Sequence, residues 1–147
     1  MRRTRVFAWC VSVCLMLFSL SAEAWSATIY SWGYDGDDQV TDTPTGTGYT
    51  AIAGGRYHSM ALASDGSIIS WGSDYDDQVA DTPNGTGFTA IAGGAYHSLA
   101  LASDGSIISW GYDSYDQVTD TPTGTGYTAI AGGRYHSIAL ASGSWGV

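Results

Sequence analysis

Lysine is absent from this 147-residue chain, and its two cysteines, Cys10 and Cys14, both lie near the N-terminus. Beyond residue 24 the chain has no cysteine, so it can form no disulfide there, and it has no lysine to act as a Schiff base or general base. Thirteen aspartates stand there against Arg56 and Arg134, which gives a formal charge of −11. Such a surface disfavours nucleic acid and anionic lipid, because binding to either depends on Lys and Arg neutralising phosphates.

The first 24 residues differ from the remainder. Three arginines within the first five residues precede an apolar run at 6–20, which is short for a membrane span, and Ala-Glu-Ala follows at 22–24. This order predicts a secretory signal peptide, 1–24, cut after residue 24. A retained N-terminal anchor is the alternative. We therefore expect a secreted or periplasmic domain, 25–147, with no membrane association after cleavage.

One 39-residue unit occurs three times between residues 32 and 142, with copies starting near Trp32, Trp71 and Trp110. The first two copies differ at only seven positions. A fixed period of this length indicates a repeat architecture, in which one supersecondary unit stacks on its copies. No segment of the unit shows helical periodicity, so the units are predicted to be all-β.

The second unit shows the pattern. An apolar, β-prone stretch at 89–92 ends at Gly93-Gly94, which suits a bulge or a close backbone approach. Residues 97–102 alternate in character, and Asp104-Gly105 predicts a hairpin turn before a returning strand at 106–110. The unit is therefore predicted to form a small antiparallel sheet.

The rest of each unit is polar and rich in turn residues, apart from a candidate fourth, outer strand at 117–119 in the third copy. Each unit is thus predicted to hold three or four antiparallel strands. One face carries large side chains and the other Ala, Ser and Gly, which lets neighbouring sheets approach. A radial stack of such sheets is a β-propeller. A β-solenoid is the alternative.

The segment A-I-A-G-G-x-Y-H-S-x-A-L-A-S-D-G-S-I-I-S-W-G, which starts at residues 51 and 90, resembles the regulator of chromosome condensation repeat. The resemblance covers essentially all of residues 25–147 and implies blades of a propeller that has seven in that family. The short period is similar to that of its secreted bacterial branch, which includes the β-lactamase-inhibitory protein of the second type. Neither β-lactamase inhibition nor the nuclear members' nucleotide exchange is carried over, because fold does not transfer a partner.

Two departures from the family pattern concern the loop after each tryptophan and the number of units. Where the family has W-G-x-N-x-x-G-Q, this chain has Asp35 and Asp38 in place of Asn and Gly, and aspartate tolerates the left-handed turn conformation. Three units are fewer than a propeller needs. Residues 27–32 repeat only the returning strand, and 137–141 repeat only its partner. We expect the first to fill the gap beside the second, within one chain or between chains as a homo-oligomer, for example two chains giving six blades. The alternative is a fragment of a longer repeat protein.

Aspartates and tyrosines crowd the loop after each tryptophan, where the units vary most. Aromatic residues are frequent anchors of protein interfaces, so we predict a partner-binding surface here. Calcium is the alternative ligand, because carboxylates bind it, although the spacing is not that of an EF-hand; Asp35, Asp37 and Asp38 are the weak candidates. The predicted partner-binding residues are Tyr34, Asp35, Asp37, Asp38, Asp74, Tyr75, Asp76, Asp77, Asp113, Tyr115 and Asp116.

His58, His97 and His136 occupy equivalent positions, for which we predict a structural role, with zinc as the alternative. The carboxylates also recur in equivalent loops, so nothing in the sequence separates an acid from a base. We therefore expect a secreted, non-catalytic binding or scaffold module that contacts a protein partner and needs no cofactor. The alternatives are a calcium-dependent adhesion or carbohydrate-binding module and a hydrolase.

Overall fold

The structure, a computed structural model, describes residues 27–143, so the predicted signal peptide and the last four residues lie outside it. Within that span every regular element is a β-strand, and no helix there is long and apolar enough to cross a membrane. The strands are β1 Tyr49–Gly54, β2 His58–Ala63, β3 Ile68–Gly72, β4 Phe88–Gly93, β5 His97–Ala102, β6 Ile107–Gly111, β7 Tyr127–Gly132 and β8 Ser137–Ala141.

The strands form three separate antiparallel sheets in the orders β1-β2-β3, β4-β5-β6 and β7-β8, which we term blades 1, 2 and 3. The register of β2 against β3 runs from His58↔Gly72 to Leu62↔Ile68, and it recurs 39 residues later between β5 and β6. Within residues 27–143 no strand of one unit pairs with a strand of the next. This excludes a solenoid and confirms the predicted all-β architecture of propeller blades.

The predicted Asp-Gly hairpin is present in the complete blades. In blade 1 the turn joins β2 to β3, with Gly66 at φ +83° and the Asp65 carboxylate accepting hydrogen bonds from the Ser67 N–H (2.9 Å) and hydroxyl (2.7 Å). Of the two turn residues, only the glycine has a positive φ. The N–H of Gly66 donates to the carbonyl oxygen of Ala63, which closes the turn before the returning strand. Asp65 contributes the side-chain acceptor and Gly66 the conformation.

One local prediction is wrong. Residues 117–119 form a turn rather than an outer strand, because Asp113 Oδ1 accepts the N–H groups of Val118 (2.7 Å) and Thr119 (3.0 Å). Those donors are then unavailable to a ladder. The bulge of blade 2 lies between Phe88 and Ala90, at the start of β4, and not at the glycine pair.

The glycine pairs instead confirm the predicted close approach of backbones. A Cβ on Gly93 would lie 2.7 Å from the carbonyl oxygen of Gly54 in the preceding blade. A Cβ on Gly94 would overlap the ring of His97. The first glycine of each pair therefore lets adjacent inner strands touch, and the second seats the histidine.

The hydrophobic core lies between blades rather than within them. Met60, Leu62 and Ile68 of blade 1 pack against Phe88, Ala100 and Trp110 of blade 2. A second cluster joins blade 2 to blade 3 and contains Leu99, Leu101, Ile107, Tyr127 and Ile130. The large side chains of these two clusters are therefore buried where two blades meet.

The last blade shows what stacking contributes. Leu99 and Leu101 in β5 are 2% and 6% exposed, whereas Ile138 and Leu140 at the same positions of β8 are 62% and 63% exposed. The two strands have almost the same sequence. Their burial differs because blade 2 is covered by blade 3, and no described residue covers blade 3 on the equivalent face.

The histidines link successive blades, as the structural interpretation requires. His58 Nε2 lies 2.9 Å from Ser98 Oγ, and His97 Nε2 lies 2.9 Å from Ser137 Oγ. Burial lowers the pKa of His58 to about 4, and the nearby His97 adds to the effect. Within residues 27–143 no three His, Cys, Asp or Glu side chains are grouped so as to hold a metal ion.

Candidate protein-binding rim

The loops that follow the tryptophans and the loops that precede the histidines lie at one end of the blades. The N–H of Ser73 donates to Tyr57 O (2.8 Å), and that of Tyr112 donates to Tyr96 O (3.0 Å), which ties the two kinds of loop together. The hairpin turns lie at the opposite end, where Ser64 N–H donates to Gly48 O (2.8 Å). We term the first end the tyrosine–aspartate rim; it comprises residues 33–39, 55–57, 72–78, 94–96, 111–117 and 133–135.

One predicted aspartate in each rim loop serves the loop itself. Asp35 Oδ1 accepts the N–H groups of Val40 (2.7 Å) and Thr41 (3.0 Å), and its second oxygen accepts the Thr41 hydroxyl. The hydroxyl bond, followed by the backbone bonds, lowers the pKa of the Asp35 carboxyl. Asp74 and Asp113 hold their loops in the same way, by accepting the N–H groups five and six residues further along the chain.

A second aspartate sets the conformation of each loop. Asp38, Asp77 and Asp116 have φ values of 60°, 59° and 58°, so the expectation that aspartate keeps the left-handed turn is confirmed. The following glutamine fixes the turn from within, since Gln39 Oε1 accepts the Asp37 N–H at 2.9 Å. The backbone of the rim is therefore held from inside each loop, which leaves other side chains available for contact.

The remaining acidic side chains lie at the surface of the rim. The carboxylates of Asp38, Asp77 and Asp116 are on exposed residues, and Asp37 and Asp76 are partly exposed. Burial, followed by the charge of Asp77, raises the pKa of Asp76. Of the weak calcium candidates, Asp35 accepts hydrogen bonds from its own loop, whereas Asp37 is partly exposed and Asp38 is exposed.

Five tyrosines gather on the rim into one aromatic cluster. Tyr96 stacks on Tyr135 with ring centroids 5.8 Å apart, and Tyr57 lies 5.6 Å from Tyr96 on the other side. Tyr112 lies 5.8 Å from Tyr96, and Tyr115 lies 5.0 Å from Tyr135. Of the predicted site tyrosines, only Tyr115 belongs to this cluster.

The other two predicted tyrosines stand apart. Tyr34 is 73% exposed and Tyr75 is 92% exposed, and neither makes a ring contact with another aromatic side chain of the described span. A Cβ on Gly36 would overlap the ring of Tyr34. At these two equivalent positions the first loop has Tyr34 and Gly36, whereas the second loop has Ser73 and Tyr75.

Both arginines of the repeat region converge on the cluster. Arg56 lies over the ring of Tyr57 at 4.9 Å and Arg134 over that of Tyr135 at 4.8 Å, distances typical of cation–π contacts. Arg56 Nη1 donates to Tyr96 Oη at 3.2 Å. Burial opposes the effect, but the hydrogen bond from Arg134 and the two guanidinium charges together lower the pKa of Tyr96.

The sequence prediction missed Tyr57, Tyr96 and Tyr135. A signal existed, because a tyrosine precedes the histidine in every copy of the unit. The three tyrosines belong to three different blades, and the structure brings them together in one patch. Arginines from both neighbouring blades contact Tyr96, whose own blade has Ala95 in place of an arginine.

Comparisons with known proteins identify the fold. The model of the Regulator of chromosome condensation (RCC1) repeat matches residues 49–78 and 88–117. A comparison with curated protein sequences gave no match. The ectodomain of the Physcomitrella patens receptor kinase CR4 has a similar structure, with a TM-score of 0.66 and 23% identity over 84% of this chain and 33% of its own.

Yeast RCC1 (Prp20) is similar in two structures. In its complex with Kap60 the TM-score is 0.62, with 22% identity over 78% of this chain and 37% of Prp20. In the second structure, of Prp20p from Saccharomyces cerevisiae, the TM-score is 0.55, with 20% identity over 78% and 34% of the two chains. This chain spans about a third of the length of these proteins. At these identities the similarity shows a shared propeller fold.

Proposed function

We propose that this chain is an exported, non-catalytic protein-binding module of the RCC1 repeat family, and that the tyrosine–aspartate rim contacts the partner. The observation that carries the proposal is the cluster of five tyrosines and two arginines at one end of the blades. Tyrosine and arginine are enriched among the residues that contribute most to protein interfaces. The surrounding aspartates favour a partner with a cationic surface, because unlike charges steer association.

The relatives support the class of function. Yeast Prp20 is bound to Kap60 in one structure, and the other reports its binding to Gsp1p and histones. These partners belong to that protein, and only the use of the fold for protein binding is proposed for this chain. The secreted bacterial branch remains our proposed place for it within the family, with a secreted or periplasmic location after removal of residues 1–24.

We propose that the module works without a cofactor and without membrane attachment. A calcium-dependent adhesion or carbohydrate-binding module and a hydrolase are the other candidate functions. No specific observation favours either. The carboxylates with lowered pKa values, Asp35 and Asp113 among them, receive hydrogen bonds from their own turns. These carboxylates stabilise the rim, whereas tyrosine and arginine side chains supply its contact surface.

Substitutions borrowed from the other units test the rim without disturbing the fold. Tyr34→Ser, Tyr75→Gly and Tyr115→Asp each introduce the residue found at an equivalent position of another copy. Combined, they are expected to weaken partner binding about tenfold or more, because each removes an aromatic contact side chain. Affinity capture from culture supernatant and cell envelope identifies the partner, and calorimetry with the purified partner gives the affinity.

Thr45→Asn is the matched control, because the second unit has Asn84 there and the position lies at the hairpin end. This variant should bind as the unchanged protein does. Equal affinity of the triple-tyrosine variant and the control for the same partner would show that Tyr34, Tyr75 and Tyr115 do not contact it.

A further inference from the structure

We propose that a second copy of this chain completes the propeller: its residues 27–33 pair as the third strand beside β8, and its Trp32 enters the cavity between blades 2 and 3. The inference goes beyond the rim, because it concerns the flanks of the stack. Two copies joined in this way at both ends would form a closed ring of six blades. A head-to-tail interface forms a ring when its rotation closes, and six blades lie within the range of known propellers.

The two flanks of the stack expose matching apolar surfaces. On the first flank Ile52 is 66% exposed and Trp32 is 84% exposed. On the last flank β8 exposes Ile138 and Leu140. None of these side chains is charged, so no like charges are brought together at the contact itself. The buried interfaces between blades 1 and 2 and between blades 2 and 3 are built from the same positions.

The register of the missing pairing follows from the blades that are complete. In blade 1 Met60 pairs with Ser70 and Leu62 with Ile68. The same register places Ile138 opposite Ser31, and Leu140 opposite Ile29, of the second copy. Residues 28–33, T-I-Y-S-W-G, differ from the third strand S-I-I-S-W-G of both complete blades at only two positions.

Residues 27–33 already occupy the place of a third strand relative to the loop that follows them. The Thr43 hydroxyl donates to Ser31 Oγ at 2.7 Å, just as the Thr82 hydroxyl donates to Ser70 Oγ at 2.6 Å. Ile29 and Ser31 also line a small cavity against Met60 and Trp71 of blade 1. The segment is therefore held in position on blade 1 with its other side open, which reduces the cost of ordering it when it pairs.

A socket for Trp32 is present on the last flank. In blade 2 the indole of Trp110 donates to Gln78 O at 2.9 Å and packs against Met60, Ile68, Phe88 and Ala100. The residues 39 positions later line an open cavity of about 480 Å³ together with Gln117; they are Leu99, Ile107, Tyr127 and Ala139. In the proposed ring, Trp32 of the second copy would bind in this cavity, and its indole N–H would donate to Gln117 O.

Two further contacts continue across the same interface. The series His58–Ser98 and His97–Ser137 places His136 of one copy beside Ser59 of the other. A Cβ on Gly54 meets nothing within 4 Å in the single chain, although its equivalents Gly93 and Gly132 touch the backbone of the preceding blade. In the ring Gly54 would touch the last blade of the second copy, so alanine there would block assembly while the single chain tolerates it.

Sedimentation velocity of the exported protein tests the proposal through three variants. The unchanged protein is expected to have the mass of two chains. Trp32→Ala and Gly54→Ala should each weaken association at least tenfold and give single chains that retain the β-sheet circular dichroism of the unchanged protein. The rim variant Tyr34→Ser is the control and should keep the mass of two chains. Single-chain mass for the unchanged protein at micromolar concentration would overturn the proposal.

Cysteines placed at the predicted register test the pairing itself, since the exported chain is expected to have none. A mixture of a Ser31→Cys chain with an Ile138→Cys chain should oxidise to a disulfide-linked pair, whereas Ser31→Cys with Ala141→Cys should not. An internal disulfide in a Ser31→Cys, Ile138→Cys double variant would show closure within one chain and reject the second copy. No linkage in either form would show that another segment, such as residues 144–147, occupies β8. Neither rejection would affect the rim, whose test measures partner affinity rather than mass or cross-linking.

Discussion

Replacing Gly93 with alanine is expected to destabilise the fold by about 3 kcal/mol, whereas the same replacement at Gly54 should be neutral or stabilise it by up to about 1 kcal/mol. The two glycines are equivalent in sequence. A Cβ on Gly93 would lie 2.7 Å from the carbonyl oxygen of Gly54, and a backbone atom cannot turn aside as a flexible side chain does. A Cβ on Gly54 would meet no atom within 4 Å, and alanine also reduces the entropy of the unfolded chain.

Urea unfolding of both variants in a Trp32→Ala background, where single chains are expected, gives the comparison directly. Gly132→Ala serves as a second test, because its Cβ would lie 2.6 Å from Gly94 N. It should behave as Gly93→Ala does. Free energies of unfolding that agree within about 0.5 kcal/mol for Gly93→Ala and Gly54→Ala would show that adjacent blades do not meet through their glycines.

Stability is expected to fall by about 3 kcal/mol as the pH is lowered from 6.5 to 4, through His58 alone. The unfolded chain takes up a proton on this imidazole below its ordinary pKa of 6.5, whereas the folded chain resists until about pH 4. Between these two pKa values the unfolded state binds more protons than the folded state. The stabilisation that His58 contributes is therefore fully present above pH 6.5 and is lost as the pH falls from 6.5 to 4. The cause is burial, since the charged imidazolium would have to carry a proton on both ring nitrogens, and Nδ1 has no hydrogen-bond partner among residues 27–143.

Other groups shift the same balance. Burial also lowers the pKa of His97, so its contribution falls in the acid range as well. The lowered pKa values of Asp65 and Asp104, which arise from hydrogen bonds with Ser67 and Ser106, remove stability only below the ordinary carboxyl range. The loss attributed to histidine therefore precedes that of the carboxylates during acidification.

The measurement is the free energy of unfolding from urea titrations between pH 7 and 4. His58→Asn is expected to lose stability at pH 7 and to show a flatter dependence on pH, because it removes the titrating group. In the single-chain Trp32→Ala background, His136 is at the exposed equivalent position of the last blade, so His136→Asn is the matched control there and should retain the slope. A slope that is the same in His58→Asn and the unchanged protein would reject burial of a neutral His58.

The sequence was sufficient for the parts of the blade that depend on neighbours along the chain. The Asp65-Gly66 hairpin and the left-handed turn at Asp38 follow from side chains that bond or adapt locally. The supposed outer strand failed for a local reason too. Its β-prone residues Val118 and Thr119 give their N–H groups to Asp113, and a propensity pattern does not include that competition.

Features that depend on stacking were beyond the sequence. Strands β5 and β8 have nearly the same residues, yet Leu99 is buried and Ile138 is exposed, because burial is decided by the neighbouring blade. The aromatic cluster has the same origin, since Tyr57, Tyr96 and Tyr135 lie 39 residues apart and meet only when the blades stack. The predicted carboxylates Asp35, Asp74 and Asp113 prove to hold the rim loops, a role that the loop hydrogen bonds alone reveal.

Amide hydrogen exchange of the single-chain Trp32→Ala protein tests most directly whether stacking between blades, rather than strand sequence, stabilises this fold. The amides of Leu99–Leu101 that bond to β4 should exchange at least about 100-fold more slowly than the amides of residues 138–140 that bond to β7; both sets have a strand partner, and they differ in whether a blade covers them. Equal protection of the two strands would contradict the account, because it would mean that each unit is stable without a blade beside it.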